Sequence, residues 1–222
     1  MKTPAIAIFV KTCGFTPLKT RLAASLGQVK AEEFYRLSCK AISSVINSAN
    51  EKLENAKLQP MKPYWAVAED NPEAIKHWSE PVITQGSGGL GQRLYSVYTR
   101  LLAEHSSVTF IGADSPQLSP EVFVLALQEI SRASFVIGPA DDGGYYLFTG
   151  KTPIAERTWL SVPYSTDETA EVFAQNLCPL GRVSWLENSF DVDTSDDLNR
   201  LKKTMSTQTD LTEEQKILLN WL

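Results

Sequence analysis

The chain has 222 residues, 43% of them hydrophobic, and a formal net charge of -5 at pH 7. This length suits one domain with a substantial core, and the acidic balance excludes nucleic acid or an anionic membrane as the main partner, because both require a basic excess. Three cysteines without a histidine cluster give neither a zinc motif nor a disulfide framework. Without a run of eighteen apolar residues or a secretory cleavage pattern, we expect a single cytoplasmic domain over residues 1–222 with no membrane span.

Hydrophobic periodicity predicts alternating strands and helices in the first half of the chain. The run Ala5–Val10 is apolar throughout, which is typical of a strand covered on both faces in a parallel sheet. A polar loop, Lys11–Arg21, follows this strand. Beyond the loop we predict, in order, a helix from Glu32 to about Ala49 with a solvated end over residues 50–57, a strand Tyr64–Ala68, a short helix from Pro72 to about Trp78, and a strand Val82–Thr84.

The second half of the chain continues the same alternation. The glycine-rich loop Gly86–Gly91 leads into an amphipathic helix, and an apolar strand that starts at Val108 ends in Asp114. Further along we predict a helix begun by Ser119 and Pro120, strands at Phe135–Gly138 and Tyr145–Phe148 with the latter antiparallel, a helix from Thr166 to about Gln175, a strand Val183–Leu186, and a helix that ends near Met205.

The tail over residues 212–222 begins with a capping box and carries an apolar face. We expect a helix there that docks on the body of the domain or on a second subunit of a homodimer. The whole pattern predicts a three-layer α/β/α sandwich around a mixed, mostly parallel sheet.

Acidic residues follow predicted strands at two places and define the expected ligand site. Asp114 ends an apolar strand, at the edge where open α/β sheets bind ligands. A lone buried carboxylate is costly unless it is paired or binds a cation, and a divalent metal with oxygen ligands suits it. Asp191 and Asp193 flank Val192, so in an extended segment both point to one side and one can supply a second metal ligand. The alternative is that Asp193 or Thr194 caps the next helix.

Cations cluster in and just after the loop that leaves the first strand. Lys11, Lys19 and Arg21 form a candidate phosphate cradle, because lysine supplies charge and arginine a two-pronged donor. Thr12 in this loop and Ser115 in the later strand-end loop are candidate polar contacts to the same phosphates. The alternative is an ordinary solvated loop that runs into a helix.

The segment Gly86–Gly91 satisfies the pattern G-x-G-x-x-G of dinucleotide-binding folds. It follows the third predicted strand rather than the first, so that interpretation is weak. We favour an anion site in which the amides around Gly88 and Gly91, with the side chain of Arg93, face a phosphate at the start of a helix. A flexible glycine-rich turn is the alternative.

A third acidic position lies between two predicted strands. Asp141 and Asp142 precede Gly143 and Gly144, which favours either a site carboxylate or an Asp-Gly turn. We take Asp142 as the candidate catalytic acid or base on the acceptor side. The sequence shows no arrangement of Ser, His and Cys typical of a catalytic nucleophile.

Five segments, taken together and in order, resemble a known family. It is a largely uncharacterised bacterial and archaeal family of glycosyltransferase-like proteins within the nucleotide-diphospho-sugar transferase superfamily, distantly similar to guanylyltransferases of molybdenum and deazaflavin cofactor synthesis. The segments are Lys19–Ala23, Gly88–Leu94, Ile111–Pro116, Gly138–Leu147 and Asp191–Leu198.

The resemblance implies a GT-A type α/β fold, a nucleotide bound over the loop of the first strand, and a divalent metal, Mg²⁺ or Mn²⁺. It assigns Asp114 to the metal or ribose-phosphate, Asp193 to the second metal ligand, and Lys19 and Arg21 to the phosphates, with Lys19 catalytic. The implied activity is a metal-dependent transfer from a nucleotide-activated sugar to a small-molecule acceptor.

Two alternatives remain open at this point. A nucleotidyltransferase that joins an NTP to a phosphorylated small molecule would use the same metal and cations. A nucleotide-binding module without turnover is the third hypothesis, because the first loop, the glycine loop and Tyr164–Thr166 depart from the pattern of the family.

Overall fold

The computed structural model describes residues 2–79 and 81–222, which form one seven-stranded sheet with helices on both faces. In chain order the strands are β1 (Ala5–Val10), β2 (Lys62–Val67), β3 (Val82–Thr84), β4 (Val108–Gly112), β5 (Phe135–Pro139), β6 (Tyr145–Gly150) and β7 (Val183–Trp185). Their spatial order is β3-β2-β1-β4-β6-β5-β7. Neighbouring strands are parallel except at β6, which is antiparallel to both β4 and β5.

Helices cover both faces of the sheet, which makes the three-layer α/β/α sandwich predicted from the sequence. They are α1 (Thr20–Leu26), α2 (Gln28–Asn55), α3 (Pro72–Ile75), α4 (Leu90–Glu104), α5 (Pro120–Arg132), α6 (Glu156–Leu160), α7 (Thr169–Leu177), α8 (Ser195–Ser206) and α9 (Glu213–Trp221). Helices α2 and α5 pack on one face, and α4, α6 and α7 pack on the other. In the described part of the chain, no helix combines the length and the apolar character needed to cross a bilayer.

The position of β1 inside the sheet, with both faces covered by helices, explains why its sequence is apolar throughout. Ile6 and Ile8 pack into the core cluster on the α2 side, while Ala5 and Ala7 pack into the cluster under α4. Each of the four side chains is at most 2% exposed. Since side chains alternate between the faces of a strand, a strand covered on both faces has no polar position to show.

The strands were predicted more accurately than the helices. All seven predicted strands exist, and β6 is antiparallel as expected. The predicted helix over residues 32–49 was too short, because α2 begins at Gln28 and ends at Asn55 with polar but helix-compatible turns at both ends. The short helices α1 and α6 were missed, and α1 begins at Thr20 inside the predicted loop Lys11–Arg21, since seven or five residues are too few to show a helical period. Ser119 precedes α5 as expected, but its side chain makes no capping hydrogen bond.

The topology brings the acidic segments to one edge of the sheet. Strands β1, β4 and β5 run in the same direction, so their carboxyl ends share an edge. The loops that leave them carry Lys11–Lys19, Asp114 and Asp141–Gly144. In open α/β sheets this edge is where ligands bind.

The terminal helix α9 packs against α2 of the same chain and supports the loop after Asp114. Leu218 is fully buried in a cluster with Phe34 of α2. The buried side chain of Gln215 donates through Nε2 to the carbonyls of Pro116 at 2.8 Å and Leu118 at 3.0 Å. The last helix therefore helps to fix the path of the chain next to the acidic site.

We predict that Leu218→Ala lowers the free energy of unfolding by about 2–4 kcal/mol, because it removes buried methyl groups and leaves a cavity. The matched control is Ile217→Ala on the same helix, where the side chain is 49% exposed. That control should change stability by less than about 0.5 kcal/mol. Urea unfolding of both variants provides the measurement, and equal losses would show that α9 does not pack as described.

Candidate active site

The side chain of Lys19 joins three distant segments of the chain. Its Nζ lies 2.5 Å from Asp114 Oδ1 and 3.0 Å from Asp193 Oδ1, and it donates to the carbonyl of Val192 at 2.6 Å. The lysine side chain is only 3% exposed, whereas those of Asp114 and Asp193 are about half exposed, at 43% and 48%. The two acids predicted to share a site are thus held together by an ammonium group.

Lys19 remains charged in this position. Burial alone would lower the pKa of its ammonium, but the nearby carboxylates of Asp114 and Asp193 outweigh burial, and the pKa is raised. The backbone of Lys19 is left-handed, with φ of 47° and ψ of 41°, which is unfavourable for a residue with a Cβ by about 1–2 kcal/mol. The three Nζ contacts offset that strain and fix a positive charge at the start of α1.

Asp191 occupies a different environment from Asp193, two residues away. The hydroxyl of Ser115 donates to Asp191 Oδ1 at 2.5 Å. Burial raises the pKa of Asp191 to about 6; the charge of Asp114 adds to the rise, and the Ser115 hydrogen bond opposes it. The amide of Val192 donates to the carbonyl of Asp114 at 2.9 Å, which pins the segment so that Asp191 and Asp193 flank Asp114.

The charges of this cluster fit a divalent cation. Asp114 and Asp193 contact the ammonium of Lys19, and Asp191 adds a third carboxylate nearby. With Arg21 at 4.0 Å from Asp193, three acids face two cations, so acids outnumber cations by one. The raised pKa of Asp191 is the expected response of a carboxyl group buried beside another negative charge. Within residues 2–79 and 81–222 no group of three or more His, Cys, Asp or Glu side chains is placed to hold a metal ion, so a cation here would have at most two carboxylate ligands from the protein. Mg²⁺ is commonly held by one or two carboxylates plus water and phosphate oxygens.

Asp114 separates two lobes of one cleft, and both lobes also share Phe9, Leu90 and Gly112. The basic lobe has a volume of about 340 Å³ and carries Lys11 and Lys19. The acidic lobe has a volume of about 290 Å³ and carries Asp142 and Asp191. Asp193 also lines the basic lobe, so the two lobes differ in that the cations of the cleft, Lys11 and Lys19, line only that lobe.

Five aromatic side chains contribute to the wall of the acidic lobe. Phe9 and Phe110 pack edge to face with centroids 4.9 Å apart, and Tyr145 stacks on Phe173 at 5.6 Å. The lobe is lined by Phe9 and Phe110 together with three tyrosines, Tyr145, Tyr146 and Tyr164. Such a wall suits a ring-shaped or partly apolar group better than a highly charged one.

The predicted site residues divide into two groups. Those that line the cleft are Lys11, Lys19, Asp114, Asp142 and Asp193, and those that line neither lobe are Thr12, Arg21, Gly88, Gly91, Arg93 and Ser115. The structure thus brings together the acids and two of the lysines, and leaves most of the glycine loop outside. Leu90 is the residue of that loop which reaches the cleft.

Several residues outside the cleft have clear structural partners. The hydroxyl of Thr12 accepts from Trp78 Nε1 at 2.8 Å, on the side of the loop away from the cleft. A Cβ on Gly91 would come within 2.8 Å of the carbonyl of Trp159, so close packing between α4 and α6 requires glycine there. Arg93 donates through Nε to the carbonyl of Gly88 at 3.0 Å, and the side chain of Arg21 is 78% exposed, 4.0 Å from Asp193.

Asp142 forms part of a turn and also lines the acidic lobe. Its Oδ1 accepts from the amide of Gly144 at 2.9 Å, as in an Asp-Gly turn. The predicted Asp-Gly turn is therefore present, and it places the carboxylate of Asp142 at the cleft. Asp141 faces elsewhere and forms an ion pair with Arg200 at 2.5 Å.

The sequence interpretation missed residues that fix the first loop. Tyr35 accepts the amide of Lys11 at 2.9 Å, and Glu69 accepts the amide of Thr12 at 3.1 Å. Glu69 lies two residues after the end of β2, so the signal that identified Asp114, an acid after an apolar strand, applied here too. Tyr35 gave no signal, because it lies among the apolar residues of α2 that face the core.

A family model matches residues 53–166, just over half of the chain, and is described as "Uncharacterized protein conserved in bacteria (DUF2064)". No curated protein matches this chain.

Among solved structures, the chain is similar to one from Desulfovibrio desulfuricans, provisionally named a nucleotide-diphospho-sugar transferase. The two share 24% identity over 100% of this chain and 95% of that one, with a TM-score of 0.82. The chain is also similar to 4-diphosphocytidyl-2C-methyl-D-erythritol synthase from Anaerococcus prevotii, with 11% identity, coverage of 89% and 96%, and a TM-score of 0.55. A cytidylyltransferase from Leptospira borgpetersenii is similar at 12% identity, 100% and 94% coverage, and a TM-score of 0.51. At these identities the likeness establishes the fold, which is of the nucleotide-diphospho-sugar transferase type.

We predict that Asp191→Asn stabilises the metal-free protein at neutral pH. The pKa of Asp191 is about 6 in the folded chain and 3.8 ordinarily, so the folded state binds the extra proton between those values. The wild type therefore loses stability relative to the variant as pH rises through that window. With the chelator EDTA present, urea unfolding should show the variant more stable by about 1–3 kcal/mol at pH 7.5 and nearly equal at pH 3.5.

Asp193→Asn is the matched comparison and should act in the opposite direction. It removes one carboxylate from the buried ammonium of Lys19 and should lower stability at pH 7.5 by about 1–2 kcal/mol, a range reduced because Asp193 is half exposed. The same urea titration measures both variants. If both changed stability with the same sign, the distinction between the two acids would be wrong.

Proposed function

We propose that this chain, which belongs to the DUF2064 family of proteins conserved in bacteria, is a divalent-metal-dependent transferase. Its substrate in this proposal is a nucleotide-activated sugar. The observation that carries the proposal is that both cations of the cleft, Lys11 and Lys19, line the lobe on one side of Asp114, while the lobe on the other side is lined by acids and aromatic rings. A basic lobe on one side suits a diphosphate, and an acidic, aromatic lobe on the other suits a sugar ring and a hydroxyl acceptor.

The basic lobe provides the leaving-group side of the reaction. The ammonium of Lys19 is fixed and charged, and the side chain of Lys11 is exposed at the same lobe. Both can contact the oxygens of a nucleoside diphosphate, and fixed charges of this kind stabilise negative charge as it develops. Arg21, exposed at the start of α1, can reach the same phosphates from outside.

Asp114 and Asp191 are our candidates for the carboxylates that hold the metal. Asp114 and Asp193, the ligands expected from the sequence, both contact Lys19, and Asp193 also lies 4.0 Å from Arg21. Asp191 forms no ion pair within the described residues, which makes it the better partner for Asp114. When bound, a divalent cation neutralises charge on the diphosphate as the glycosidic bond breaks. In this scheme Ser115 holds the carboxylate of Asp191, and Asp193 holds Lys19.

The acidic lobe provides the acceptor side of the proposed reaction. The bond from the anomeric carbon to the β-phosphate oxygen breaks, and the acceptor oxygen forms a new bond to that carbon. The acceptor proton passes to a base, for which Asp142 is the candidate because its carboxylate lines this lobe. The products are a glycosylated acceptor and a nucleoside diphosphate.

Nucleotidyl transfer is the second candidate, because the Anaerococcus prevotii synthase and the Leptospira borgpetersenii cytidylyltransferase share the fold. The charge of the acidic lobe favours glycosyl transfer. In the described part of the chain no Lys or Arg side chain lines this lobe, while Asp114, Asp142 and Asp191 do. A phosphorylated acceptor would meet like charge there, whereas a neutral hydroxyl would not.

We predict that nucleotide-sugars, incubated with the full chain and Mn²⁺, release nucleoside diphosphate in the presence of neutral hydroxyl acceptors. The alternative predicts inorganic diphosphate from an NTP and a phosphorylated acceptor. Coupled assays for the two products, run over the common bases and sugars, separate the hypotheses. Tight metal-dependent binding without either product would favour a binding module.

We predict that Asp114→Asn abolishes metal-dependent binding of nucleoside diphosphates and keeps the fold. The change removes a carboxylate from the junction of the two lobes, and we expect affinity in the presence of Mn²⁺ to fall by about a hundredfold, or 3 kcal/mol. Calorimetry measures the affinity, and thermal unfolding checks the fold. Asp196→Asn, an exposed acid in the first turn of α8, is the matched control and should bind as the wild type does. Unchanged affinity in Asp114→Asn would remove this residue from the site.

A further inference from the structure

A second cavity opens on the other side of the Lys11–Cys13 loop. Its volume is about 670 Å³, compared with about 290 and 340 Å³ for the lobes of the cleft. It lies between one face of α2 and the rings of Trp65 and Trp78, and we call it the tryptophan cavity. A volume of this size is typical of sites that bind small molecules.

The two indoles offer apolar ring surface to this cavity. Their centroids are 4.8 Å apart and their planes are tilted by 42°. Trp78 Nε1 donates to the hydroxyl of Thr12 at 2.8 Å, and Trp65 Nε1 donates to Ser79 Oγ at 3.2 Å. Because both N–H groups are used within the protein, only the rings remain for a ligand. Both side chains are partly exposed.

The α2 wall of the cavity offers polar groups that the protein does not use. Lys40, Ser43 and Asn47 are spaced three and four residues apart, which places them on one face of the helix. None of the three side chains makes a hydrogen bond or ion pair with the described residues. An ammonium, a hydroxyl and a carboxamide thus face two indoles, and together they can both donate and accept hydrogen bonds.

The charge of the cavity is nearly balanced. Arg36 is engaged with Glu32 at 3.0 Å, and the positive charge of Lys40 is opposed by Glu214 on the same lining. His77 packs edge to face with Phe15, with centroids 5.7 Å apart. A strongly anionic ligand such as a nucleotide would need a larger positive excess.

From these walls we infer that the tryptophan cavity binds a short neutral saccharide. The C–H faces of a sugar ring are apolar and pack on indole rings, while its hydroxyls donate and accept hydrogen bonds as the side chains of α2 require. This site is separate from the cleft that contains Asp114, and it does not depend on the proposed transferase activity. It is adjacent to the cleft, however, because Tyr35 lines both the tryptophan cavity and the basic lobe.

The test uses the full chain in EDTA and four neutral disaccharides: maltose, cellobiose, lactose and N,N′-diacetylchitobiose. Saturation-transfer NMR should show transfer to the ring protons of at least one disaccharide, and calorimetry gives its Kd. The combined Lys40→Met and Asn47→Ala variant, and separately Trp65→Leu, should raise that Kd about tenfold or more. Lys30→Met, an exposed lysine of α2 outside the cavity, is the matched control and should leave the Kd unchanged.

Each remaining outcome overturns the inference. No transfer to any of the four disaccharides would do so, as would transfer that survives both cavity variants. If binding were lost in Asp114→Asn instead, the saccharide would be assigned to the cleft that contains Asp114. A dimer seen by analytical ultracentrifugation and dissociated by Trp65→Leu would show that a second copy covers the indoles. Because the helix variant changes only solvent-facing side chains of α2, thermal unfolding should show it folded, so a loss of binding is not a loss of fold.

Discussion

The buried ammonium of Lys19 is the interaction on which the site depends. It joins the loop after β1, the residue Asp114 after β4 and the segment before α8, which are far apart in sequence. A buried ion pair contributes little net stability, because desolvation offsets its attraction, yet removal of one partner typically costs about 3–5 kcal/mol. The arrangement is therefore better explained by the geometry it enforces than by stability.

That geometry produces the two unlike lobes. With Lys19 fixed on one side of Asp114, Asp193 is neutralised there, while Asp191 on the other side is left with a raised pKa of about 6. The same three acids would make an undifferentiated negative patch if Lys19 were solvated. The position of one ammonium thus separates a region suited to phosphate from a region suited to hydroxyl groups, and it leaves a deficit of positive charge at Asp114 that a divalent cation can fill.

Sequence patterns predicted the strands, which follow from hydrophobic periodicity, and the family resemblance predicted that Asp193 would share a site with Asp114. Alternation predicted that Asp191 and Asp193 would point to one side, whereas they line different lobes of the cleft. They could not separate Asp191 from Asp193. The difference between these acids comes from the burial of Asp191 and from the contacts with Ser115 and Lys19, all of which depend on segments remote in sequence. The glycine pattern also has a packing cause that the sequence did not show, because a Cβ on Gly91 would come within 2.8 Å of the carbonyl of Trp159. A local motif indicates that glycine is needed at a position, but it does not show which neighbouring group requires it.

The loop after β1 links the two sides of the molecule. The amide of Lys11 is held by Tyr35, and the amide of Thr12 is held by Glu69. The side chain of Lys11 faces the basic lobe, whereas that of Thr12 accepts from Trp78 at the tryptophan cavity. Both faces of this short segment are therefore fixed by hydrogen bonds. A ligand that displaces Trp78 or Tyr35 also displaces a side chain that holds this segment, and Lys11 with it, in place. The segment Lys11–Thr12 is therefore a structural element shared by the cleft and the tryptophan cavity. Packed segments of this kind shift as units rather than deform continuously.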